Sequence, residues 1–168
     1  MLNKGTYTAK MTDYGITTTQ AGLPQLKCSF AITDGATVYN MAWYGSFKEG
    51  KARDITIKTM LSVMDLFAEP NEIENELAKI AEQGAASGLL NCEKDYSVVV
   101  EQEPDQTGKV RARIRWVNNP GGTASFERLA ATDAKKLFSG MGLSGAVAQL
   151  KAENPGLTKK KTTSNLPF

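Results

Sequence analysis

Eight consecutive residues, Val110 to Val117, alternate between apolar and cationic side chains. Val110, Ala112, Ile114 and Trp116 fall on one side, and Arg111, Arg113 and Arg115 on the other. A period of two marks a half-buried β-strand, because successive side chains leave opposite faces of the pleat. The phase commits the apolar set, Trp116 included, to a core. It aims three guanidinium groups away from that core, about 7 Å apart along a regular strand. Like charges in a row repel, which costs stability unless an anion lies across them, and a polyanion with regularly spaced charge meets that need. The blander alternative is a solvated face that protects an edge strand from pairing.

Other strands precede it. Residues 4–12 alternate with Tyr7, Ala9 and Met11 on one face; Asp13-Tyr14-Gly15 marks a bend or bulge, and Ile16 to Thr19 continues the strand. Leu26, Cys28, Phe30 and Ile32 share one face of a second strand, with Cys28 as a small buried hydrophobe. Asp34-Gly35 signals a hairpin into a third strand, about residues 36–44, which carries aromatics on both faces: Tyr39 and Trp43 on one, Tyr44 on the other. The bulkier odd-numbered face suits the core and leaves Tyr44 outward, although alternation alone does not decide which set faces out.

The period then changes. Ile57, Met60, Leu61, Met64 and Phe67 fit a helix that Pro70 interrupts; Asn71 as N-cap with Glu74 predicts a second helix ending near Gly84. Residues 95–102 give a fourth strand, 104–108 a turn, and the arginine strand is the fifth. Asn118-Asn119-Pro120-Gly121-Gly122 ends the sheet. Thr132 or Asp133 caps a short helix through Phe138, residues 143–152 form another, and the chain from Glu153 reads as a flexible tail. Strands and helices in this order predict an α+β protein, a five-stranded OB-fold barrel with a helical insert between strands 3 and 4. The expected division is a nucleic-acid-binding domain over residues 1–122, a helical extension over 123–152 and a flexible basic tail over 153–168.

Composition narrows the chemistry. The chain of 168 residues, 41% hydrophobic, can build one domain with appendages. It contains no histidine, which removes Ser-His-Asp and Cys-His catalysis and every His-ligated metal site. Cys28 and Cys92 are not spaced for a metal, the glycines fit no phosphate-binding loop, and no acidic cluster falls on an apparent strand end. The expectation is a protein without catalytic activity, cofactor or metal. No run of about 18 apolar residues and no signal sequence is present, so a cytoplasmic, reduced protein is expected. The net charge of +2 says little, but its distribution says more: Glu69 to Glu82 is acidic, whereas Arg111, Arg113, Arg115 and Lys159-Lys160-Lys161 are basic.

Several stretches together resemble the bacteriophage OB-fold single-stranded DNA-binding proteins: Gly5-Thr6-Tyr7-Thr8-Ala9-Lys10 opening the first strand, Leu26 to Ile32, the aromatic third strand, the helical insert, and a closing Arg-x-Arg-x-Arg-Trp-Val-Asn strand. The resemblance covers about residues 4–119. It implies sequence-independent binding and protection of single-stranded DNA in phage replication or recombination, in the host cytoplasm. In such proteins bases stack on aromatics while cations follow the phosphates. Arg111, Arg113, Arg115, Lys10, Lys27 and Lys48 are then the candidate cations, and Tyr39, Trp43, Tyr44 and Phe47 the candidate stacking groups. The terminal Leu166-Pro167-Phe168 is similar to the partner-binding tip of such proteins, though a basic and neutral stretch replaces the usual acidic one. Replication or recombination proteins are the partners this tip implies, and a homo-oligomer is compatible with the pattern. A second reading is a protein-interaction adaptor of a replication or virion complex, working through the acidic helix or the tail.

Overall fold

The computed structural model describes residues 1–118 and 131–157. Five strands form one antiparallel sheet: β1 (Gly5–Thr18), β2 (Pro24–Asp34), β3 (Thr37–Ser46), β4 (Tyr96–Pro104) and β5 (Val110–Val117). Their order across the sheet is β3-β2-β1-β4-β5. Between β3 and β4 the chain forms α1 (Lys51–Lys58), a π-helical turn (Thr59–Val63), α2 (Ile73–Gln83) and a 3-10 turn (Gly84–Ser87). Two helices follow the sheet, α3 (Ala131–Phe138) and α4 (Leu143–Glu153), and a 3-10 turn over Pro155–Leu157 comes after them. Among the described residues no helix is long and apolar enough to cross a membrane.

Alternation sets the inner face. Leu26, Cys28, Phe30 and Ile32 are fully buried from β2, as are Tyr96, Val98 and Val100 from β4. Phe30 and Tyr96 meet edge to face at 5.4 Å, joining β2 to β4 beneath β1. Long β1 serves both neighbours because it bends. Met11 pairs with Phe30 and Asp13 with Ser29, which leaves Thr12 as the extra residue of a bulge. The bend expected at residues 13–15 therefore begins one residue earlier. Gly35 takes φ +58 at the first central position of the β2–β3 hairpin, the sign that a two-residue primed turn requires.

Tyr14 ties the sheet to the chain entering β4: its hydroxyl accepts the Leu90 N–H at 3.0 Å and lies 3.1 Å from the Ser87 hydroxyl. Burial pushes this phenol above its ordinary pKa. The N-cap of α2 is Glu72, without a side-chain cap bond, and not the expected Asn71. The helical extension is not separate from the sheet. Phe138, Leu143, Val147 and Leu150 lie in the same core cluster as the strand residues, so residues 131–153 belong to the body of the fold. Lys151 Nζ donates to the Ala68 carbonyl at 2.7 Å, and Arg53 Nη1 donates to the Met141 carbonyl at 3.2 Å. Glu153, expected to open the tail, closes α4. The remaining tail, with Lys159-Lys160-Lys161 and Leu166-Pro167-Phe168, lies outside the described residues, as do residues 119–130.

Candidate nucleic-acid interface

The sheet's two edge strands, β3 and β5, curl toward each other until they touch. Both run antiparallel to a neighbour of β1, so they lie parallel to one another. Among the described residues no hydrogen-bonded ladder joins them. Between them opens a cleft of about 540 Å³, walled by Asn40 to Tyr44 on one side and Ala112 to Arg115 on the other, with Glu103 at its margin. A second hollow of about 300 Å³ continues along the same seam past Tyr39 and Val110 to Met1.

The β3 wall sorts its aromatics by phase. Trp43 is only 6% exposed, and Tyr39 and Met41 pack partly against the core. Tyr44 points the other way and is 53% exposed, with Lys27 Nζ 6.0 Å from its ring centroid. Glycine at position 45 lets β3 approach α1: a Cβ there would stand 2.6 Å from Thr56 Cγ2 and 2.8 Å from Trp43 Cη2.

The β5 wall answers the repulsion expected of the arginine row. Arg113 pairs in register with Glu101, and Arg111 with Glu103, so strand β4 sets carboxylates beside guanidinium groups. Arg115 Nη1 lies 3.5 Å from Glu103 Oε1, and Arg111 Nε 2.6 Å from Asp105 Oδ2. Glu101 faces Lys4 at 4.0 Å. Asp105 also organises the β4–β5 turn. Its Oδ1 accepts the Thr107 hydroxyl at 2.6 Å and the N–H groups of Thr107 and Lys109 at 2.8 and 3.1 Å. Those Thr107 bonds, with Arg111, hold the carboxyl well below its usual range. Arg113 has no ion-pair partner among the described residues.

One expectation is overturned. Trp116, which shares the sequence phase of Ile114, is 42% exposed, and Val117 is buried in its place. Val100 pairs with Ile114 but Val99 with Trp116, so Arg115 is the extra residue of a bulge. The bulge reverses the phase and turns Trp116 onto the outer face. The two consecutive apolar residues Trp116-Val117 are the sequence trace of that reversal.

The other candidates are dispersed. Phe47 is 1% exposed and packed against Phe138, so its ring presents no free face. Trp43 is likewise core rather than a stacking surface. Lys10 lies on central β1, away from the seam, and faces Asp95 at 3.8 Å. Lys48 is exposed beyond the end of β3. The candidate cations are therefore interspersed with acids. The structure brings together Tyr44, Lys27, Arg113 and Arg115, with Tyr39 and Arg111 farther along the seam.

Among the described residues no group of three or more Cys, Asp or Glu is placed to hold a metal ion. Burial pushes the Cys92 thiol up to about 11, and the Cys28 thiol far above its ordinary value. No protein-family model matches the chain, and no curated protein matches it significantly.

Proposed function

We propose that the chain is a non-catalytic, sequence-independent single-stranded DNA-binding protein that coats and protects exposed strands during phage replication or recombination. The strand order is that of a five-stranded OB-fold barrel whose β3–β5 seam is left without a ladder, and the seam is the proposed binding site. The observation that carries the reading is the pairing of walls: an exposed aromatic, Tyr44, faces a cleft whose opposite wall presents Arg113 and Arg115. A base stacked on Tyr44 puts its flanking phosphates within the reach of guanidinium groups. Stacking needs no particular base, and phosphate contacts carry no sequence code, so the binding is sequence-tolerant.

The test is a titration of labelled single-stranded and duplex oligonucleotides at several salt concentrations. Neutralised phosphates release counterions, with a slope near 0.7 per contact on a single strand. Tight single-strand binding that weakens as salt rises, with the slope flattened when all three arginines become alanine, is the expected result. Weak binding indifferent to salt, or equal affinity for duplex, removes the proposal.

A further inference from the structure

We propose that Glu103 and Asp105 act as built-in phosphate surrogates, holding Arg115 and Arg111 while the cleft is empty and yielding them only to a ligand with several consecutive phosphates. The inference rests on the nucleic-acid reading above and specifies how that site discriminates among anions.

The three guanidinium groups of β5 are not equivalent. Arg111 donates from Nε to Asp105 Oδ2 at 2.6 Å, and Arg115 from Nη1 to Glu103 Oε1 at 3.5 Å. Arg113, between them, has neither an ion pair nor a side-chain hydrogen bond among the described residues, and it lines the cleft. The two carboxylates are also held differently. Asp105 is pinned by the turn it organises, so it stays charged and stationary. Glu103 stands on β4 and reaches the cleft margin, where a bound strand would lie.

A single phosphate therefore finds one guanidinium group free. Taking a second means displacing a carboxylate, which exchanges one charge-assisted bond for another of similar strength. A phosphate already tethered to one resting on Arg113 arrives at high effective concentration, so the exchange proceeds for a polynucleotide and stalls for a mononucleotide. The displaced carboxylate then takes up a counterion, which lowers the salt sensitivity of the wild-type protein below that of three open arginines.

The experiment measures anisotropy of a labelled oligothymidylate, with thymidine monophosphate as competitor, for the wild type, Glu103→Gln and Asp105→Asn. Asparagine keeps the Oδ1 acceptor that the turn needs. Each variant is expected to tighten oligonucleotide binding about three-fold, as for loss of one competing exposed ion pair. Each is also expected to steepen the salt slope by about 0.7 and to make the monophosphate a better competitor. The gain must depend on the partner arginine: Glu103→Gln in an Arg115→Ala background, and Asp105→Asn in an Arg111→Ala background, should change nothing. Equal tightening in both backgrounds, or by Glu101→Gln, would mean a general field effect and would overturn the inference. Glu103→Gln touches only the surface of β4, so the test survives if Asp105→Asn fails to fold. Wild-type binding without any gain in Glu103→Gln sinks the inference alone, whereas absent wild-type binding sinks the nucleic-acid reading with it.

Discussion

Phe47 and Phe138 meet edge to face, their ring centroids 4.9 Å apart and their planes at 88°. The contact joins the residue just beyond β3 to the last residue of α3, which makes the C-terminal helices part of the domain. Phe138→Ala should cost about 3–5 kcal/mol in urea denaturation, as should Phe47→Ala. The double variant should lose about 0.5–1.5 kcal/mol less than the sum. Under conditions where Phe47→Ala remains folded, its oligonucleotide affinity should equal the wild type's, because the ring is sealed on both faces.

Adjacent residues on β3 should give opposite phenotypes. Tyr44→Ala removes an exposed ring and should cost about 1–3 kcal/mol of single-strand affinity. Its effect on stability should stay within about 0.5 kcal/mol. Trp43→Ala opens the core and should lose about 3–5 kcal/mol of stability. Parallel denaturation and binding curves separate the two. A loss of affinity in Trp43→Ala larger than its unfolded fraction explains would mean that the odd face of β3 contacts the ligand.

The bulge at Arg115 predicts two tryptophans in unlike surroundings. In Trp43→Phe, emission comes from Trp116 and should be quenched readily by acrylamide. In Trp116→Phe, the remaining Trp43 should be shielded. Equal shielding of both would restore the regular strand and return Trp116 to the core.

Trp116 also shows where sequence reasoning stops. The strands were legible because each buries one face, which fixes its phase through residues such as Leu26, Cys28, Phe30 and Ile32. The outward arginines followed from the same rule. A bulge breaks the rule by one residue, and only the ladder to Val99 and Val100 reveals where. The carboxylates beside the arginines are hidden from sequence reading for a different reason. Asp105 and Glu103 precede the arginines they hold, Arg111 and Arg115, by 6 and 12 residues, and only the hairpin register decides which carboxylate meets which guanidinium group. The burial of Phe47 depends on α3, an element about ninety residues away whose docking no local periodicity encodes.

Cys92 lies half-buried, with its thiol raised to about 11 by burial and by the charges of Asp13 and Glu93. Its reaction with a maleimide near pH 7.5 should be slow and should accelerate up to about pH 11, while Cys28 should react only on unfolding. The folded protein keeps the neutral thiol above the ordinary value of 9.0, at which the unfolded chain ionises. This contribution to stability is therefore complete below pH 9 and is lost as pH rises from there to about 11. Cys92→Ser should flatten stability over that interval, and an unchanged slope would show that the thiol is solvated.

Gly45 controls how closely β3 approaches α1 and, through Trp43, the shape of the cleft wall. A methyl group there would fall within 3 Å of both Thr56 and Trp43. Backbone conformation is not the obstacle, because Gly45 has ordinary strand geometry. Overpacking is, and it should cost about 1–3 kcal/mol. For a domain of this size that corresponds to a lowering of Tm by about 2–12 °C. Adding Thr56→Ala removes Cγ2 and Oγ1, the two nearest Thr56 atoms, so the double variant should recover part of the loss despite surrendering the Thr56 hydroxyl bond to the Ala52 carbonyl. Because Trp43 remains in the way, recovery should be incomplete, and Gly45→Ala should also weaken oligonucleotide binding by displacing Tyr44. A Gly45→Ala protein as stable as the wild type would mean that β3 and α1 are not packed this closely.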